Sequence, residues 1–364
     1  MDSNVGQIAV STAERIFSQT VTRQSLDSAA EGEWLADLWQ VISDNGLPLA
    51  LVDEASGGFG LDIDHGLMIV RLAGRYAVPL PLAETMAANH LLARCGLEPA
   101  EGPLSMIVSG PAAPLALTRK DDTTWHVEGQ GAHVPWPDHA ASLVAHAHLD
   151  GADHLVRLPH GAWTIAETFA STAGHPAARV TIDTDLAAEN VAPVPAGLGP
   201  DPVMLAGAAI RTIAMAGAAQ KVFDLTSEYA TTRKQFGRPL SRFQVIQHDL
   251  ARMASAVAVT SACADMAAAG FSTPDGAATI AAAKARTGEA VGLIAGLAHQ
   301  IHGAIGASQE YELQHFTRLL WSLRDDFGTE RHWQARLATL ALDHADQGGP
   351  WAFITGMEPV REAV

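Results

Sequence analysis

The chain has 364 residues, 48% hydrophobic and 17% charged, which is the composition of a packed globular protein of two or three domains and excludes a disordered one. Its 40 carboxylates against 23 lysines and arginines leave a net charge of −17, which opposes binding to a phosphate backbone and excludes nucleic acid as an expected partner. Two cysteines, Cys95 and Cys263, are too few for a disulfide framework and stand in no CxxC or Cys/His spacing, so a reducing cytoplasm is the expected location.

The opening run MDSNVGQIAVSTAERIF carries acidic residues and no apolar signal-peptide core, and the later apolar stretches are broken by Gly, His or charge. Neither export nor a membrane span is expected. Residues 1–104 read as a helical domain, with periodic apolar positions in AERIFSQTV, EWLADLWQVISDNG and DHGLMIVRLAGRYA, each closed by Gly, Asn or Pro. Residues 105–199 change to short β-rich runs (LSMIVSG, PLALTR, TWHVEGQGAHV, ASLVAHAHL, HLVRL, ARVTIDT) between turn residues, and a small antiparallel, barrel-like β domain is expected. Gly and Pro in AGLGPDP (196–202) mark the switch back to helix. From 200 to 364, long Ala-rich stretches predict a four-helix bundle, so the fold class is α+β.

Three runs carry more than pattern. LVDEASGGFGLD (51–62) places Gly57, Gly58 and Gly60 where a tight bend follows the early helices. RKQFGRPLSRFQVIQHDLARM (233–253) sets an Arg and a Gln around Phe-Gly, with Gln244 opening the next helix. AHQIHGAIGASQEYELQHFTRLLWSLRDDFGTE (298–330) holds a Gln-x-x-Gly spacing and ends on Gly-Thr-Glu. In this order, and in a helical, β, helical layout, the runs resemble the acyl-CoA dehydrogenase family over nearly the full chain, the middle part least.

The resemblance implies FAD as cofactor, an acyl-CoA thioester as substrate and electron-transfer flavoprotein as the electron acceptor. It places Arg233, Gln235, Phe236, Gln244, Gln300, Gly303, Ala304 and Thr329 at family positions that bind the flavin dinucleotide, Arg233 reaching the flavin of a neighbouring subunit. The chemistry suits them: a guanidinium offers bidentate hydrogen bonds to pyrophosphate, and glycine lets backbone come close. Local charge agrees, because Arg211, Lys221, Arg233, Lys234, Arg238 and Arg242 face only Asp224 and Glu228 between 211 and 242.

The resemblance fails at the base that should remove the α proton. The family's Glu-Gly-Thr aligns on Phe327-Gly328-Thr329, and the alternative glutamate position on an earlier helix falls on Gly207. Asp326, one residue away, is a weak candidate that reads better as a solvated charge beside Arg324 and Asp325. In the β part, His133 and Pro135 stand where the family has a Trp and a Thr that cover the flavin ring, and Pro135 suits only a sheet edge.

The expectation is therefore a chain without a catalytic residue of its own. It supplies FAD contacts to a homologous, glutamate-bearing subunit in an α2β2 assembly of the kind the resemblance associates with steroid-derived CoA thioesters. An active homo-oligomer or flavin oxidase using Asp326, and a structural subunit without flavin, are the alternatives. The His299/His302 and His146/His148 pairs have no expected carboxylate or Cys completing a metal ligand set, and Cys263 reads as an inert thiol in a helix.

Overall fold

A computed structural model describes residues 2–107, 115–199 and 201–343; the end of LSMIVSG, Pro200 of the 196–202 linker and residues 344–364 lie outside the described residues. Five helices open the chain: α1 (Asp2–Thr20), α2 (Arg23–Ala30), α3 (Ala36–Asp44), α4 (Ile63–Arg75) and α5 (Leu82–Arg94). Thr22 starts α2 through a reciprocal capping box, its side chain accepting from Ser25 N while Ser25 Oγ accepts from Thr22 N. In the bend between α3 and α4, Gly57 has φ +90°, and a Cβ at Gly58 would fall 2.0 Å from Val52 O. Those glycines are required by the turn itself.

The middle segment forms one eight-stranded sheet from β1 (Leu104–Ile107), β2 (Leu115–Arg119), β3 (Thr124–Pro135), β4 (Ser142–Leu149), β5 (Ala152–Pro159), β6 (Thr164–Ala170), β7 (Pro176–Ala187) and β8 (Val191–Pro193). The order is β6-β7-β3-β2-β4-β5-β8, with β1 beside β4. The expectation of an antiparallel domain needs correction, because β1 and β2 both pair with β4 in parallel. Pro135 is not on an edge strand either: it ends interior strand β3 beyond a bulge between Gly131 and Val134, opposite Ala177. Val127, Leu143, Val156, Val180 and Ile182 are fully or almost fully buried in the sheet's own core.

The chain then runs through α6 (Pro202–Thr232), a small hairpin of β9 (Lys234–Gln235) and β10 (Arg238–Pro239), α7 (Gln244–Gly270), α8 (Gly276–His302), α9 (Leu313–Asp325) and α10 (Glu330–Asp343). From Pro202 to Ala219 helix α6 is buried on every side, as its almost wholly apolar sequence there requires. It packs against α4, α7, α8 and α9, so helices before and after the sheet share one hydrophobic core. The crossing of α4 and α6 is close enough that a Cβ at Gly74 would meet Ala214 O, and one at Gly217 would meet Arg71 O, each at 2.0 Å. Contrary to the expectation of broken apolar stretches, α6, α7 and α8 are each long and apolar enough to cross a membrane by length and composition. Bundle packing accounts for that apolarity in α6, whose apolar window is wholly buried inside the protein, and for less than half of the windows in α7 and α8.

Candidate functional site

The two positions that would carry a base meet in space. Phe327 follows α9 in the left-handed region at φ +51°, and its ring lies so close on α6 that a Cβ at Gly207 would sit 2.0 Å from Phe327 Cδ1. One turn along α6, the Arg211 guanidinium stands 5.3 Å from the centre of the same ring. Its Nη2 donates to Glu84 Oε1 of α5 at 2.6 Å, and its Nε lies 3.2 Å from Asp326 Oδ2. Burial works against the charge on Arg211, but Glu84 and Asp326 outweigh it and raise its pKa. Asp326 is thus no solvated charge: its side chain is 13% exposed, one oxygen faces Arg211, and the other lies 3.7 Å from His133 Nδ1.

Backbone contacts pin the loop that carries Phe327. Lys284 of α8 donates to Arg324 O at 2.6 Å and Gly328 O at 2.9 Å, while Trp333 Nε1 donates to Phe327 O. Burial pulls the Lys284 ammonium down to about 8, with Asp326 and Glu330 acting in the opposite direction. Glu330 also pairs with Arg324. The cations Arg211, Lys284 and Arg324 are thereby matched by Glu84, Asp326 and Glu330, and a matched set is what makes such burial tolerable.

Around this plug the free cavity is only about 70 Å³, lined by Glu84, His133, Trp136, His175, Arg211 and Asp326 among others. Pockets for organic ligands run to roughly 300–1,000 Å³, and one water occupies about 30 Å³. The space therefore suits water and is too small for a fused three-ring system or an acyl chain. Burial, helped by Arg318, pushes the His175 imidazole down to about 4. The unfolded chain takes up that proton near pH 6.5 and the folded chain only near 4, so stability is present above pH 6.5 and is lost as pH falls between these values. The loss amounts to at most about 3 kcal/mol, since the ring keeps some exposure. Urea unfolding from pH 7 to 4 should show this slope in the wild type and a flatter one in His175→Gln.

At the far end of α6 lies a different surface. Arg233, Gln235, Phe236, Gln244, Gln300, Gly303 and Ala304 are all exposed, Phe236 by 92%. Tyr229 near the end of α6 stacks on His302 at 4.4 Å and donates to His302 O at 3.4 Å, which ties the hairpin's root to the end of α8. Phe236 (φ +51°), Gly237 (φ +79°) and Gly303 (φ +62°) make the sharp turns there. Thr329 is not brought to this group. It follows Gly328, whose Cβ would touch Met204, and α6 separates Met204 from Thr232 by roughly 42 Å at about 1.5 Å per residue.

Several expectations change in detail. The basic group shrinks, because Arg211 is buried against carboxylates and Lys221 lies 3.6 Å from Glu312; Arg233, Lys234, Arg238 and Arg242 remain exposed. His146 and His148 do have a nearby carboxylate, since Asp153 Oδ1 lies 2.8 and 3.0 Å from them, although no group able to hold a metal ion occurs among the described residues. Cys263 is buried and burial raises its thiol pKa, as an inert side chain requires. Glu84, His175 and Lys284 were missed. The available signal was Arg211 itself, a lone cation within the apolar run VMLAGAAIRTIAMAGAA, which needs a buried counter-charge.

Residues 204–330 match the family described as acyl-CoA dehydrogenase, C-terminal domain. Acyl-CoA dehydrogenase IpdE2 of Mycobacterium tuberculosis is 30% identical over 282 residues, covering 76% of this chain and 77% of the relative. IpdE2 of Mycolicibacterium smegmatis is 25% identical over 308 residues, covering 83% and 88%. The chain belongs to the acyl-CoA dehydrogenase family. Its fold is shared by the Tcur3481-Tcur3483 steroid ACAD G363A variant, with a TM-score of 0.85, 23% identity and coverage of 95% of this chain and 100% of that one. The ChsE4-ChsE5 complex from Mycobacterium tuberculosis gives a TM-score of 0.80 at 16% identity, covering 92% and 96%.

Proposed function

We propose that this chain is the non-catalytic subunit of an FAD-dependent acyl-CoA dehydrogenase, supplying Arg233, Gln235, Gln244 and Gln300 to a flavin seated mainly in a homologous, glutamate-bearing partner. The observation that carries this reading is the Phe327 ring on Gly207 beside a 70 Å³ cavity. FAD therefore fits one end of the chain and not the other. Among the described residues, the buried end offers no room for its ring and no free carboxylate, whereas the exposed end presents donors without an ion-pair partner, suited to a pyrophosphate. When bound, FAD supplies the hydride acceptor for α,β-desaturation of the thioester. This chain's residues hold and orient the dinucleotide, and the partner's carboxylate takes the α proton.

Asp326 is a poor substitute base, because both of its oxygens face cationic or ionisable groups inside the plug. A steroid-derived CoA thioester is the proposed substrate, supported by the steroid ACAD among the structures of the same fold. An α2β2 assembly, electron-transfer flavoprotein as acceptor and a cytoplasmic location complete the reading. The test is to purify the chain alone and together with the acyl-CoA dehydrogenase homologue from a neighbouring reading frame. The expected result is a colourless, inactive lone chain and an active complex with one flavin per pair of chains. A lone oligomer that holds one flavin per chain and oxidises acyl-CoA overturns the proposal, as does a colourless complex.

A further inference from the structure

On the hairpin after α6, Arg238 is the cross-strand partner of Gln235, so the two side chains leave the same face of the ribbon. The Arg238 guanidinium lies 4.1 Å from the centre of the Phe243 ring, which in turn meets Phe236 edge-on at 6.3 Å. Stacking of this kind fixes the plane of a guanidinium while leaving its N–H edge free. The hairpin's root is closed by Leu240 N donating to Arg233 O, which keeps both arginines on one short, rigid turn.

Arg233, Lys234, Arg238 and Arg242 are all exposed, and none forms an ion pair with a carboxylate among the described residues. Most other arginines of this acidic chain do find one, including Arg71, Arg75, Arg119, Arg179, Arg211 and Arg324. Four like charges within ten residues repel one another unless an anion lies across them. Arg238 is the one whose orientation is preset by an aromatic ring.

We infer that Arg238 is a second cation of the pyrophosphate clamp, gripping the partner-held dinucleotide together with Arg233, with Phe243 as its positioning residue. This rests on the proposed trans-supply of FAD contacts. A planar donor fixed in advance gains more from a bidentate anion than a mobile lysine does, because less ordering is needed on binding.

The test uses the two-subunit complex, stripped of flavin and titrated with FAD and separately with FMN, which lacks the second phosphate and the adenosine. In Arg238→Gln, FAD binding should weaken by about tenfold or more while FMN binding stays unchanged, as expected for loss of a charge-assisted pair to the outer phosphate. Arg238→Lys and Phe243→Leu should fall between wild type and Arg238→Gln, and log Kd for FAD should depend less steeply on log salt in Arg238→Gln. Thermal unfolding of Arg238→Gln should match wild type, because the side chain is exposed.

If Arg238→Gln binds FAD as tightly as wild type while Arg233→Gln does not, the second-cation inference falls and the trans-supply reading stands. Equal weakening of FAD and FMN likewise overturns the inference. If neither arginine affects FAD binding, both readings fall together.

Discussion

Replacing Arg211 with Met is expected to lower the unfolding free energy by roughly 3–5 kcal/mol, the usual result of removing one partner from a buried ion pair. The Arg211 side chain is only 6% exposed and touches two other parts of the chain: Glu84 on α5, and Asp326 with the Phe327 ring after α9. Methionine keeps much of the volume but leaves two carboxylates facing each other beside a cavity of about 70 Å³. Lys284, His133 and His175 then remain near Asp326. The loss should therefore be repaired in large part by neutralising the stranded acids, as in the triple variant Arg211→Met, Glu84→Gln, Asp326→Asn. Denaturant unfolding of the wild type, Arg211→Met and the triple variant checks this. A single-variant loss below about 1 kcal/mol would mean that the network contributes no more than a surface pair.

That network explains which features could be read in the sequence and which could not. Helix α4 and strands β3, β4 and β7 were legible because their apolar positions recur at the helical or strand period. Strand β6 was not, since almost all of TIAETFA is exposed and no buried face imposes an alternation. Phe327 and Gly207 were legible as departures at two separate places, but nothing in the spacing said that one fills the space of the other. That fact depends on the packing of α9 against α6, which is a long-range property. Arg211 shows the same limit. Counted along the chain it joins a basic cluster with Arg233, whereas in space it lies at the opposite end of α6, paired with a residue 127 positions away. Thr329, placed among the cofactor contacts by the family resemblance, is separated from the hairpin residues by the length of α6.

Placing a carboxylate at position 327 by Phe327→Glu is expected to give no turnover and to destabilise the chain by about 3–5 kcal/mol, the range for removing a buried aromatic side chain. The ring is 7% exposed and fills the surface of α6 left bare by Gly207. Glutamate loses that packing, and its charge enters a space already holding Glu84 and Asp326. Arg211 lies near enough to attract the new carboxylate, which would then be an ion-pair partner and not a free base. Catalysis also requires room, and the cavity beside Arg211 and Asp326 offers only about 70 Å³. The decisive measurement pairs stability with flavin content and acyl-CoA oxidation by the variant chain alone. Flavin uptake and oxidation by Phe327→Glu without a partner would show that one substitution separates this chain from an enzyme. The proposal predicts instead that the ion network keeps the pocket shut, so that Arg211, Glu84 and Asp326 would have to be removed before a base at 327 could act.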